Sequence, residues 1–188
     1  MTSSKSKMGE EPKIISKTPS PVKSVQKTNL STKVTTTERP FLYLLALGSC
    51  VPPAEERMHD ALAAIADHAF VDVYGRSKLL NNPAVGGVTA QPFVNAVIAL
   101  ASPLSPMNML RVGFAFEQRF GRLRTQKNAA RTLDVDVIWC SANVAPNADL
   151  QLPHPKAKER EFVTEPAAQA WTQACAQAPH LFQGAFPF

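Results

Sequence analysis

The stretch RTLDVDVIW, residues 131–139, alternates as a β-strand does. Successive side chains of a strand point to opposite faces. Leu133, Val135, Val137 and Trp139 therefore fall on one apolar face, and Thr132, Asp134, Asp136 and Ile138 on the other. Two carboxylates two positions apart repel each other and lose hydration once the strand packs. Something cationic is expected on that face. Either the pair is exposed beside Lys or Arg, or it holds hard divalent cations, magnesium above all, together with the phosphates of a substrate.

The segments upstream give the strand its context. FLYLLALG (41–48) is a short apolar run closed by a glycine, a buried-strand signal. Met58, Leu62 and Ile65 recur at helical spacing in residues 54–67, and AFVDVYG (69–75) reads as strand. LLNNPAVGGVTAQ (79–91) reads as loop by its Asn, Pro and Gly content, and PFVNAVIALA (92–101) as strand again. Ser105 caps a helix with Pro106 in its first position, running to Gly121. A polar basic loop, RLRTQKNAA (122–130), leads into residues 131–139. The order β-α-β-β-α-β predicts an α/β chain of the α+β kind: a ferredoxin-like antiparallel sheet with helices on one face. Residues 140–188 form a C-terminal extension of loop, helix and apolar terminus.

Charge divides the chain in two. Residues 1–39 hold eight Lys/Arg against three Asp/Glu, which accounts for the whole net charge of +5; residues 40–188 hold twelve of each. The leading segment is rich in Ser, Thr, Lys and Pro and poor in large apolar residues, which predicts a disordered basic tail before a single domain at 40–188. No apolar stretch suits a signal peptide or a membrane span. Cys50, Cys140 and Cys175 are sparse and lack metal-type spacing, which points to a reducing, cytoplasmic setting.

Cations flank the acidic pair: Arg122, Arg124 and Arg131 before it, and His154, Lys156, Lys158 and Arg160 in LPHPKAKEREF after it. In a neutral domain this grouping suggests polyphosphate held jointly by metal and guanidinium groups. No G-x-x-x-x-G-K-[ST] occurs, which excludes a P-loop. Upstream, NPAVGG (82–87) leads into a strand on which Phe93 and Asn95 share a face. A ring beside an amide suits a flat heterocycle, and Phe162 could supply a second ring. His59, His68 and His180 read as structural.

With these motifs in order (GRLR, ARTLDVDVIW and LPHPKAKEREFV, with LGSC and QPFVNAVIAL upstream), the chain resembles the 6-hydroxymethyl-7,8-dihydropterin pyrophosphokinase family over about residues 41–183. The resemblance implies a ferredoxin-like core, two magnesium ions, ATP as co-substrate, and transfer of its β,γ-pyrophosphate to a pterin hydroxymethyl group with release of AMP. It implies metal binding by Asp134 and Asp136. It implies nucleotide contacts by Glu117, Arg122, Arg131, Gln151, His154 and Arg160, with Arg122 and Arg131 catalytic. It implies a pterin held between Phe93 and Phe162, its edge read by Asn95 and the backbone of Pro83 and Val85. The family usually has Asn where Cys50 stands, Thr or Ser where Asn82 stands, and Gly-Pro where Ala129 and Ala130 precede Arg131.

The leading expectation is a monomeric cytoplasmic enzyme of folate biosynthesis whose partners are pterin and ATP, with no nucleic acid and no membrane. Two alternatives stand beside it. A slow or non-catalytic paralogue would keep both pockets without turnover. An RNA-binding module on the same sheet would need an aromatic platform, and PFVNAVIAL lacks that pattern.

Overall fold

The computed structural model describes residues 40–83, 92–122, 130–146 and 149–188. The expectations for residues 1–39, Val85 and Arg124 lie outside them. The chain order is β1 (Phe41–Ser49), α1 (Ala54–Ala66), β2 (Asp72–Arg76), β3 (Leu80–Asn82), β4 (Phe93–Ser102), α2 (Pro106–Arg119), β5 (Asp134–Cys140) and α3 (Glu161–Gln177). The strands form one antiparallel sheet in the order β2-β4-β1-β5, with β3 a short addition pairing with β4. Without β3 this is the split β-α-β, β-α-β arrangement expected from the sequence, a ferredoxin-like fold.

The two central strands are apolar on both faces because both faces are covered. Tyr43, Leu45, Leu47, Val94, Ala96, Ile98 and Leu100 pack with Met58, Leu62 and Ile65 of α1 and with Met109, Leu110 and Phe116 of α2. Leu44, Val97 and Ala99 on the opposite face pack with Val163, Ala167, Ala170, Trp171 and Ala174 of α3. The expectation of helices on one face was made for the β-α-β-β-α-β core, and the core meets it. It holds for α1 and α2, while the C-terminal extension supplies α3 to cover the second face. At the start of α2, Ser105 Oγ accepts from the Asn108 N–H at 3.4 Å, as the Ser-Pro signal predicts.

Two local readings are corrected. Residues 80–82 are strand, not loop, because Leu80, Asn81 and Asn82 pair with Asn95, Val94 and Phe93. Trp139 does not share the face of Val135 and Val137. The β1–β5 register slips between Leu44 and Leu45, so Leu44 faces Trp139 while Leu45 faces Val137. Such a bulge inserts one residue and resets the alternation. Trp139 therefore joins Ile138 on the α3 face, its ring centroid 5.4 Å from that of Trp171.

Candidate functional site

Because β5 is an edge strand, its outer backbone groups need partners from elsewhere. Glu117, from the last turn of α2, provides one: its Oε1 accepts from the Val135 N–H at 3.0 Å. The segment after β5 provides another, where the His154 N–H donates to Ile138 O at 2.9 Å. A pocket of about 450 Å³ is left along this edge, between α2 and residues 149–155. Glu117, Arg122, Arg131, Asp134, Asp136, Gln151 and His154 all line it.

The charges inside the pocket are tightly linked. Arg122 Nη1 donates to Glu117 Oε1 and to Asp134 Oδ1, and Arg131 Nη1 donates to Asp134 Oδ2. The Arg122 N–H also donates to Glu117 O at 2.9 Å, fixing the arginine where the helix ends. Glu117 is only 2% exposed, so its charge depends on this pairing. Both oxygens of Asp134 are engaged by guanidinium groups. The Asp136 carboxylate makes no hydrogen bond or ion pair with a described residue.

Asp136 is accordingly pushed up from its ordinary 3.8 to about 6, by burial first and then by the carboxylates of Asp134 and Glu117; Arg131 and Arg122 only partly offset this. A group whose proton is held more tightly in the fold destabilises the fold once ionised. In metal-free protein its contribution is absent below pH 4, grows as the pH rises from 4 to 6, and is complete above that. Asp136→Asn is therefore expected to stabilise the metal-free protein at pH 8 by about 1–2 kcal/mol, allowing for partial exposure of the site. In a chain of this size that is a rise in Tm of about 2–8 °C. Thermal melts in chelator should show the gain at pH 8 and none at pH 4. A variant melting below wild type at pH 8 would mean that Asp136 is compensated in the fold.

His154 is shifted in the opposite sense. Burial, then Arg160 and Lys156, lower its pKa, with Asp134 opposing. Its Nδ1 accepts from the Lys156 N–H at 3.2 Å, which assigns the proton of the neutral ring to Nε2.

Among the described residues expected to hold a flat heterocycle, none lines this pocket, but Phe93 and Asn95 on β4 share the sheet face of the acidic pair. Gly48 on β1 is registered with Asp134 on one side and Asn95 on the other. Strand spacing places those two residues about 10 Å apart across the glycine. A Cβ at Gly48 would come within 3.1 Å of Asn95 Oδ1 and 3.9 Å of the Phe93 ring, so the glycine keeps this row open. Asn95 is buried and its Nδ2 donates to Asn82 Oδ1; Asn82 Nδ2 donates to Pro83 O at 2.9 Å. Phe162 lies in the first turn of α3, under the guanidinium of Arg160, 5.7 Å from its ring centroid. Arg160 is not among the pocket-lining residues.

Leu110, Phe114, Asp149 and Leu150 also line the pocket and were not singled out from sequence. Leu110, Phe114 and Glu117 follow one another at helical spacing, and Asp149 and Gln151 alternate as extended chain does. Those periods were the available signals.

The chain matches the profile of the family described as 7,8-dihydro-6-hydroxymethylpterin-pyrophosphokinase over residues 44–172. Among curated proteins, it is 34% identical to the 2-amino-4-hydroxy-6-hydroxymethyldihydropteridine pyrophosphokinase of Campylobacter jejuni over 126 residues, 67% of this chain and 80% of that protein. It is 34% identical to the Helicobacter pylori protein of the same name, covering 66% of this chain and 78% of the relative. For the Bacillus subtilis protein of that name the identity is 30%, covering 69% and 77%.

Proposed function

The chain belongs to the 7,8-dihydro-6-hydroxymethylpterin-pyrophosphokinase family, and from that premise we propose how its own residues serve the reaction. The protein transfers a pyrophosphoryl group from ATP to 6-hydroxymethyl-7,8-dihydropterin in folate biosynthesis. The hydroxymethyl oxygen attacks the β-phosphorus and gives up its proton to solvent, the bond between the β-phosphorus and the α,β-bridging oxygen breaks, and AMP leaves carrying that oxygen. The RNA-platform alternative draws no support from these relatives.

The observation that carries the assignment is the single pocket combining Arg122, Arg131 and His154 with the acidic pair. Polyphosphate entering it offers Arg122 and Arg131 new anionic partners, and the guanidinium fork suits phosphate as well as it suits carboxylate. Asp134, released from both arginines, and Asp136, otherwise uncompensated, then present hard oxygen donors suited to magnesium. Two magnesium ions held there would neutralise phosphate charge and orient the reacting oxygens. His154, neutral with its proton on Nε2, donates to a phosphate oxygen without adding charge. Arg160 meets the far end of the nucleotide, and Gln151 and Glu117 line its bed.

The pterin lies on the same sheet face, two strands away. Asn95 and the backbone of Pro83 and Val85 read its edge, while Phe93 and Phe162 take its two faces. Gly48 leaves the space through which the hydroxymethyl arm reaches the phosphates. The catalytic unit is residues 40–188 acting as a monomer. It works in the cytoplasm, in keeping with three cysteines that are all free thiols and with no described helix long and apolar enough to cross a membrane.

Ring stacking, more than charge, should hold the pterin. Phe162→Ala is expected to weaken pterin binding by about 1–3 kcal/mol, the scale of stacking a base on an aromatic side chain, and to leave ATP affinity nearly unchanged. Calorimetric titration with each ligand separates the two. Equal losses for both would make Phe162 a part of the α3 core only.

A further inference from the structure

Arg131 precedes β5, which begins at Asp134, so no strand ladder satisfies its backbone groups. Residue 50, just past the end of β1, satisfies them instead. The Cys50 N–H donates to Arg131 O at 3.0 Å, and the Arg131 N–H donates to Cys50 Sγ at 3.2 Å. The thiol itself lies 3.7 Å from Arg131 O. Beside this pair, Ser49 Oγ donates to Thr132 O at 2.7 Å. Cys50 is 1% exposed and carries no disulfide, so the sulfur faces Arg131 rather than solvent.

The end of β1 thus clamps the main chain from which Arg131 reaches Asp134. We propose that Cys50 is a positioning residue for the transfer reaction: its sulfur and backbone fix Arg131 so that the guanidinium meets first Asp134 and then the polyphosphate. This rests on the phosphate role assigned to Arg131 above. A long flexible side chain delivers its fork accurately only from a fixed origin, and small misplacements of a catalytic group are costly in rate. Cys50 touches no reacting atom in this account and acts only through Arg131.

Cys50→Val keeps an apolar side chain of similar size and removes the sulfur acceptor, leaving the backbone bond of residue 50 in place. Its kcat for AMP formation is expected to fall about 10-fold with the pterin KM unchanged, while Cys50→Ser and Cys50→Asn, which restore an acceptor, stay within about threefold of wild type. In an Arg131→Ala background the same Cys50→Val change should cost no more than about twofold, because the group it positions is gone. Amide hydrogen exchange at Arg131 reads the clamp independently of catalysis, and should quicken about 10-fold or more in Cys50→Val. If that variant does not fold, Cys50→Ala removes the same acceptor without adding a branch. A wild-type kcat in Cys50→Val, an undiminished loss in the Arg131→Ala background, or unchanged exchange at Arg131 would overturn the proposal. Unchanged kcat in Arg131→Ala alone would instead overturn the phosphate role of Arg131, with the exchange result still reporting on the clamp.

Discussion

Asp134→Ala and Asp136→Ala are each expected to abolish magnesium-dependent AMP formation, lowering kcat by roughly 10³-fold or more, the scale on which phosphoryl-type transfer loses rate when a charge-stabilising group is removed. The two variants should reach that result by different routes. Asp134 bridges Arg122 and Arg131, so its loss leaves Arg131 without its described carboxylate partner in the free protein and leaves Arg122 with Glu117 alone among the described carboxylates. The Asp134→Ala protein should therefore be less stable than wild type. Asp136 has no such partner, and its removal relieves repulsion with Asp134 and Glu117. The Asp136→Ala protein should be inactive and no less stable. Turnover assays beside melts in chelator test the pair; wild-type turnover in either variant would remove that residue from the metal site.

The second large effect is expected far from the chemistry. Gly75, on β2, lies so close to α3 that a Cβ there would sit 1.9 Å from Ala170 O and 2.9 Å from Ala174 N. Both are backbone atoms of a helix whose buried face, Val163 to Ala174, covers the sheet. They cannot retreat by a rotamer change, so Gly75→Ala must push the helix off the strand. A loss of about 3 kcal/mol or more is expected, the upper end of the cost of overpacking, which lowers Tm by about 6–12 °C. Ala170→Gly should not rescue it, since the atoms met are main chain. Because α3 begins beside Arg160 and Phe162, pterin affinity should fall as well. A Gly75→Ala protein melting with wild type would show that α3 does not pack on β2 as described.

What could be read from the sequence was local. The alternation of Leu133, Asp134, Val135, Asp136 and Val137 identified the strand and its acidic face, and Ser105-Pro106 identified the start of α2, because each signal lies within a few adjacent residues. Alternation alone puts Trp139 on the wrong face, because the bulge that turns it depends on pairing with Leu44, ninety-five positions earlier. Residues 80–82 read as loop because Asn and Pro dominate locally, and only the register with β4 makes them strand. The resemblance to a family supplied Glu117 as a nucleotide neighbour. It could not show that Glu117 also accepts the unpaired N–H of an edge strand and anchors Arg122. The clamp between Cys50 and Arg131 joins residues eighty-one positions apart and was equally hidden. In the sequence Cys50 stands out as one of three sparse cysteines and as a departure from the family's usual asparagine, and neither feature points to Arg131.

The most direct test of the account is the identity of the products. Purified protein with magnesium, ATP and 6-hydroxymethyl-7,8-dihydropterin, followed by phosphorus NMR and nucleotide chromatography, should yield AMP and pterin pyrophosphate in equal amounts, with neither forming when the pterin is omitted. Accumulation of ADP or free phosphate in place of AMP, or AMP formation indifferent to the pterin, would contradict it.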